Sequence, residues 1–323
     1  MKAAVYTQYG PPEVVQITEV PLPKLQANSI CVRVCYSTVN RTDCGFRSAQ
    51  HVISRLFSGL FKPRCKILGC EFSGEVVSIG SKVSTFKVGD RVFGYDDTYF
   101  GGHAEYKVIS SLAAVAPMPA GLDYAQAACL LEGSHYALCQ IRSARVQPGH
   151  TVLVYGASGA IGSAAVQLLK HMGAYVVGVS DQAGIQSIKD LGADVLIDYT
   201  QQDFKSTKQK FDFILDAVGK LSFRICKPLL KYKGIYISTE LGKGFENILL
   251  SLSTHLSKKK KVLFPIPTIK QEDVFYLRRL AETAAFRPLM DRSYTLDQIV
   301  EAYTYVETGQ KKGNVLLKLT QSR

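Results

Sequence analysis

One glycine-rich turn constrains this chain more than any other feature. Tyr155-Gly156-Ala157-Ser158-Gly159-Ala160-Ile161-Gly162 follows a short apolar run, Thr151 to Tyr155, and precedes a helical pattern over 160–172. Small residues let the backbone turn sharply and approach a pyrophosphate, and the start of the helix offers unpaired N–H groups and the positive end of its dipole. Gly162 lets the helix pack closely on the strand. The spacing is G-x-x-G-x-x-G rather than the strict G-x-G-x-x-G, so a turn of this kind standing alone is also compatible with a structural role. Its surroundings favour dinucleotide binding. Strand 175–179, helix 183–191, strand 194–197, strand 211–215, helix 221–231 and strand 234–238 alternate as a doubly wound parallel sheet does. The sheet then gains Lys261 to Pro265, followed by a helix from Glu272 to Ala285.

The preceding part reads differently. Ser29 to Tyr36, Gly74 to Ile79 and Arg91 to Tyr95 alternate with period two, and Gly10-Pro11-Pro12, Pro21-Leu22-Pro23 and Gly89-Asp90 punctuate them, the pattern of an irregular β domain. After Pro117 to Gly121 a single helical stretch is expected over 123–146. From Arg287 the pattern is strand, helix 296–308 and strand 313–319.

Composition narrows the function classes. With 323 residues, 46% hydrophobic, the chain is long enough for two domains with one core each. None of its eight cysteines forms a C-x-x-C pair, so zinc-ribbon and thioredoxin sites find no support. Met1-Lys2-Ala3-Ala4-Val5-Tyr6 leads straight into a strand-like pattern rather than a secretory leader, and free thiols in the cytoplasm are expected. The net charge of +12 favours anionic ligands. Its one dense run, Lys258 to Lys261, reads first as a solvated loop. Val52 to Leu60, ahead of Lys62, Arg64 and Lys66, and Phe245 to Leu256, ahead of the lysines, read as apolar helices over a pocket or a subunit contact, with a basic membrane-surface element as the alternative.

The residue closing the second strand of such a sheet commonly reads the cofactor ribose. Here that region is Ser180-Asp181. A neutral Ser180 leaves room for a 2′-phosphate, whereas Asp181 would repel one, and Tyr199 is placed to stack or hydrogen-bond nearby. NAD(H) and NADP(H) both stay open on these residues.

Together the motifs resemble the medium-chain dehydrogenase/reductase superfamily, in its zinc-free, quinone-oxidoreductase-like branch. The residues that carry the likeness are Val39-Asn40-Arg41-Thr42-Asp43, Gly69-Cys70-Glu71-Phe72-Ser73-Gly74, Phe86 to Val92, Gly102-His103-Ala104-Glu105-Tyr106, Gly156 to Gly162, Leu191 to Asp194, Asp216-Ala217-Val218-Gly219 and Gly313-Asn314-Val315. The resemblance implies an α/β chain with a GroES-like β domain over 1–120 and 287–323 and a Rossmann domain over 121–286. It implies a dinucleotide in the cleft between them, NADP(H) in preference, and a homodimer joined near Lys261 to Pro265. The cofactor-binding set it implies is Asn40, Gly156, Ser158, Gly159, Ala160, Ile161, Gly162, Ser180, Asp181, Tyr199, Val218, Phe264 and Asn314.

Zinc-dependent members of that family carry Cys where Asn40 stands and His where Cys70 stands, and a closely spaced cysteine lobe that this sequence lacks. A cluster of Cys44, Cys70, Glu71 and His135 can be imagined, but an amide is a poor zinc ligand and no metal is expected. Without a Lewis acid, reduction of an already polarised acceptor, a hydrophobic quinone or α,β-unsaturated carbonyl, suits the site better than oxidation of an alcohol. Asn40 is the residue expected beside the reacting end. Related enoyl reductases have a tyrosine acid shortly after that Asn, but Asp43-Cys44-Gly45-Phe46 contains none. Tyr95 and His135 are the substitute acids, with a structural role as the alternative for His135. Two other functions compete: an NAD(P)-dependent alcohol or aldehyde dehydrogenase, and a cofactor-binding protein acting on RNA or a membrane through its basic surface.

Overall fold

The computed structural model describes residues 1–49, 55, 58–256 and 259–319. The chain forms two compact units, Met1–Glu132 with Ile269–Arg323, and Gly133–Thr268. Most of Val52 to Leu60, together with Lys258, falls outside the described residues.

The first unit opens with β1 (Lys2–Val5), paired antiparallel to β2 (Gln16–Glu19). Then come β3 (Ser29–Val39), helix α1 (Arg41–Ser48), β4 (Glu71–Ile79), β5 (Arg91–Tyr95), β6 (Tyr106–Ser110), β7 (Val115–Pro117) and helix α2 (Tyr124–Ala128). Helix α3 (Glu132–Ala144) leads into the second unit. There the elements are β8 (Thr151–Tyr155), α4 (Ala160–His171), β9 (Tyr175–Ser180), α5 (Gln182–Asp190), β10 (Val195–Asp198), β11 (Phe211–Asp216), α6 (Phe223–Cys226), β12 (Leu230–Ser238), α7 (Glu246–Thr254) and β13 (Lys261–Leu263). The tail adds α8 (Gln271–Glu282), β14 (Met290–Thr295), α9 (Ile299–Glu307) and β15 (Asn314–Lys318).

In the first unit the strands run β14-β15-β3-β4-β5-β7, with β6 also on β3. Strand β15 pairs antiparallel to β3, Val315 opposite Val39, and so stitches the tail to the amino-terminal part. The alternating side chains of β3, β4 and β5 meet in a core of Ile30, Val32, Val34, Phe72, Val76 and Val92. In the second unit the order is β10-β9-β8-β11-β12-β13, all parallel. The chain winds outward from β8 and then, starting again at β11, winds the other way. The carboxyl ends of β8 and β11 therefore flank the switch point where doubly wound sheets bind ligands.

Three expectations need correction. The helix expected over 123–146 is two helices, because the backbone N–H groups of Leu131 and Glu132 donate to the Glu71 side chain, which starts a new helix there. The helix expected over 221–231 ends at Cys226 and passes through a turn holding Pro228, so that β12 begins at Leu230 rather than 234. The boundaries at 120 and 287 also move. Helix α2 packs on β3 and β4, and the Gln271 side-chain amide at the start of α8 donates to the carbonyls of Ser111 and Val115 at 3.1 Å. Residues 121–132 and 269–286 thus lie in the first unit.

Asp216 holds the loop that leaves β11. One oxygen accepts the N–H groups of Val218, Gly219 and Lys220 at 3.3, 2.9 and 3.3 Å, and the other accepts Leu221 N–H at 2.8 Å and the Tyr236 hydroxyl at 3.2 Å. Because each buried donor left unpaired costs roughly 1–3 kcal/mol, Asp216→Ala is expected to lower the unfolding free energy by at least about 2 kcal/mol, read from urea titration.

Candidate functional site

In the second unit the site is built on the turn after β8. Gly156 has φ +75, the left-handed region that favours glycine. The N–H groups of Gly156 and Ala157 both donate to the Val179 carbonyl at 3.0 Å, which folds the turn over the end of β9. A Cβ on Gly162 would press into the Gly156 carbonyl oxygen, and one on Gly156 would come within 2.6 Å of Val218 on the loop after β11. Glycines thus keep open a cradle at the switch point. Gly159 caps α4 and has no side chain of its own to take the first-turn N–H groups of Ala160, Ile161 and Gly162. That arrangement suits a pyrophosphate.

The end of β9 joins this turn. Ser180 is buried, and its hydroxyl donates to Ser158 Oγ at 2.7 Å, with Asp181 Oδ1 at 3.3 Å. Asp181 caps α5 by accepting Gly184 N–H at 3.1 Å. Tyr199 donates its backbone N–H to the Ser180 carbonyl and keeps its side chain half exposed, its ring 6.1 Å from that of Tyr155. Ser158, Ser180, Asp181, Tyr199 and Val218 therefore gather around one turn.

In the first unit a second group of polar side chains is buried around the start of α1. Asn40 caps that helix: its Oδ1 accepts Asp43 N–H at 3.1 Å, and Asp43 Oδ2 accepts Asn40 N–H at 3.0 Å. Asn40 Nδ2, fully buried, has no hydrogen-bond partner among the described residues. A buried donor without an acceptor is costly. Asp43 also accepts Gly69 N–H at 2.9 Å, while burial pushes its carboxyl up.

Glu71 and Glu132 lie together behind this helix. Glu71 Oε1 accepts the Thr38 hydroxyl at 2.8 Å, and Oε2 accepts Leu131 N–H at 3.1 Å and Glu132 N–H at 2.8 Å. Burial raises Glu71 to about 7 against those donors. Glu132 Oε1 accepts the Thr42 hydroxyl at 2.7 Å, and its Oε2 has no hydrogen-bond partner among the described residues. Burial first, and then the neighbouring Glu71, push Glu132 up to about 8. Tyr95 is buried, donates to Asp97 at 3.5 Å and weakly favours the ionised form of Glu132.

The remaining expected residues are placed as follows. His135 is buried on α3 with its ring 4.6 Å from Tyr136. Phe264 follows β13 and is partly buried. Asn314 turns its amide inward, and its Nδ2 donates to the Leu289 carbonyl at 3.0 Å. Leu249, Leu252 and Leu256 in the apolar 245–256 segment are 62%, 72% and 90% exposed, so they lie on the surface of the second unit rather than lining a pocket within it. Thr42 and Glu132 were not anticipated as site residues. Their one sequence signal is an acid set in the apolar run Cys129-Leu130-Leu131-Glu132.

Asn40 is committed to capping α1, burial raises the Cys70 thiol well above its usual range and Cys44 to about 12, and the described residues contain no group of three or more His, Cys, Asp or Glu side chains that could hold a metal ion.

Comparison with known proteins adds the following. Residues 26–120 match the model of the alcohol dehydrogenase GroES-like domain, and residues 191–317 match that of the zinc-binding dehydrogenases. The chain is 30% identical to a quinone oxidoreductase-like protein 2 homolog of Nematostella vectensis, across 88% of this chain and 85% of that protein. It is 25% identical to a chloroplastic NADPH-dependent alkenal/one oxidoreductase of Arabidopsis thaliana, across 98% and 79%. The structure of a quinone oxidoreductase from Coxiella burnetii superposes with a TM-score of 0.88 at 27% identity, covering 99% of each chain.

Two outcomes follow from this geometry. Gly162→Ala is expected to weaken binding of a reduced nicotinamide dinucleotide at least about tenfold, since the added methyl displaces the turn by more than a packed backbone tolerates; fluorescence titration reads this. Glu71 and Glu132 titrate near the ordinary carboxyl value of 4.5 when unfolded, but are pushed up to about 7 and about 8 when folded. Folding is therefore favoured most below that lower value and loses their contribution as pH climbs through 7 and 8. The melting temperature should fall over that rise, and Glu132→Gln should flatten its upper part.

Proposed function

Because the chain belongs to the medium-chain dehydrogenase/reductase family, in its quinone-oxidoreductase branch, we propose that it reduces α,β-unsaturated carbonyls or quinones with a reduced nicotinamide dinucleotide. The observation that carries this reading is the glycine cradle at the switch point, joined to Ser180 and Val218 and open to a phosphate.

When bound, the dinucleotide supplies the hydride. The chain supplies binding and orientation. The turn from Gly156 to Gly162 and the first-turn N–H groups of α4 hold the phosphates, while Ser158, Ser180, Asp181 and Tyr199 face the adenosine ribose. NADP(H) is the preferred form. Ser180 is neutral, the Asp181 carboxylate is engaged in capping α5, and the Arabidopsis relative is NADPH-dependent by name. In the first unit, Asn40 Nδ2 offers a buried donor to an oxygen of the acceptor or of the nicotinamide ribose. A hydrogen bond to an acceptor oxygen strengthens as charge develops on it, which is where a preorganised donor lowers the barrier. We read the site as one that works without zinc, since Asn40 is an amide that caps α1 and burial holds the thiols of Cys70 and Cys44 protonated.

Two wider features belong to the same reading. The chain is a cytosolic protein, supported by eight free thiols; among the described residues no helix is long and apolar enough to cross a membrane. It pairs as a homodimer through β13, supported by that strand's place at the edge of its sheet and the exposed leucines of α7.

Cofactor oxidation in the presence of an alk-2-enal, a benzoquinone or a primary alcohol tests the proposal. NADPH should be consumed with the enal or the quinone, faster than NADH. Turnover confined to alcohol and oxidised cofactor, or no turnover with any acceptor, would contradict it.

A further inference from the structure

We propose that Glu132 is the proton source for reduction of α,β-unsaturated carbonyls, with the Thr42 hydroxyl as its outlet. This rests on the reductase reading above and adds the donor that the sequence lacks as a tyrosine after Asn40.

Two buried carboxyls side by side cannot both ionise. The hydrogen bonds decide which holds the proton. Glu71 accepts one hydroxyl and two backbone N–H groups, and this favours its charge. It also takes the N–H groups that begin α3, so Glu132 has no capping duty. Glu132 keeps one oxygen against Thr42 at 2.7 Å and one with no hydrogen-bond partner among the described residues, at 4% exposure. The charged and titratable groups facing it are Glu71 on β4, Asp43 on α1, Tyr95 on β5 and Lys311 in the loop before β15. Lys311 donates to the Gly313 carbonyl at 2.7 Å, and burial lowers its pKa. The cluster therefore stores a proton on Glu132.

Thr42 is partly exposed, while Asn40 and Glu132 are buried. Two residues before it at the same helix start is Asn40, whose Nδ2 is a buried donor with no hydrogen-bond partner among the described residues, and Glu132 lies at hydrogen-bond distance from the Thr42 hydroxyl. The proposal assigns the first to the acceptor's oxygen and the second to its carbon.

A C–H bond of the reduced nicotinamide breaks as its hydride forms the new bond at the β-carbon, leaving the nicotinamide oxidised, and the C=C electron pair moves to give an enolate whose oxygen Asn40 holds. With Glu132 protonated on the oxygen that faces Thr42, the Thr42 hydroxyl turns from that oxygen toward the substrate; the α-carbon takes the Thr42 proton as the Thr42 oxygen takes the Glu132 proton. Glu132 is left as a carboxylate and recovers a proton from water before the next turnover.

The test compares the wild type with Glu132→Gln and Thr42→Val. Glutamine matches the neutral acid in shape, so the fold and NADPH affinity should be retained. Enal turnover by the wild type should fall as pH rises through about 8. E132Q should lose that limb and about 100-fold in kcat, the usual worth of a positioned acid. T42V should match the loss, and T42S should restore it. Quinone reduction ends on oxygen, which water protonates readily, so it should stay within about threefold. The infrared carbonyl band of neutral carboxyls should contain a component that is lost as pH rises through about 8 in the wild type, and E132Q should lack that component. A wild-type enal rate and pH limb in E132Q, or no such component in the wild type, overturns the proposal. If E132Q fails to fold, T42V decides, and full enal activity in that variant overturns it. A wild type that reduces neither enal nor quinone instead overturns the reductase reading, and the infrared component still reports on Glu132.

Discussion

The Glu71 carboxylate is the interaction on which the first unit depends. It binds Thr38 on β3 from its place on β4 and accepts the N–H groups that start α3. One buried carboxyl thus fixes two neighbouring strands and the origin of the helix that leads into the second unit. A carboxyl buried this deeply needs its lone pairs satisfied, and here three donors do so. Ionisation of Glu71 as pH rises to about 7 makes a second charge beside it unfavourable and so helps to hold the proton on Glu132 up to about 8. Structure and chemistry share one constraint.

The second unit depends on close approach rather than on charge. Parallel strands buried on both faces need little besides apolar residues, and Leu153, Val177, Ile214 and Tyr236 supply them. The polar work is left to strand ends. At the end of β8 the chain must turn under α4 with no side chain in the way, which the crowding at Gly156 and Gly162 enforces. At the end of β11, Asp216 freezes the loop that carries Val218 against that turn. Two loops held by different means thereby face one opening.

Much of this was legible in the sequence because it is local. Apolar runs and glycine turns fix β8, α4 and β9 within a residue or so of their expected limits, and Arg91–Tyr95 is a strand as the alternation indicates. What was not legible depends on distant partners. The break between α2 and α3 is imposed by a carboxylate about sixty residues earlier in the chain. Helix α8 joins the first unit through Gln271, whose acceptors lie on the segment around β7. The candidate site divides in the same way. Gly156 to Gly162 announces itself by spacing, and Ser180 by its place at the end of β9. Thr42 and Glu132 do not, since their pairing spans ninety positions. Asn314 was legible as a polar residue, but not the inward turn of its amide toward Leu289.

In the proposed reaction, hydride from a nicotinamide reaches the β-carbon of an unsaturated carbonyl while the protein's own acid supplies the α-proton. Reduction of an alk-2-enal with NADPH deuterated at the transferring position, with the product read by NMR, tests it most directly. The expected product is a saturated aldehyde with deuterium at the β-carbon and protium from water at the α-carbon. Deuterium on the carbinol carbon of an unsaturated alcohol, or a product carrying no deuterium, would contradict it.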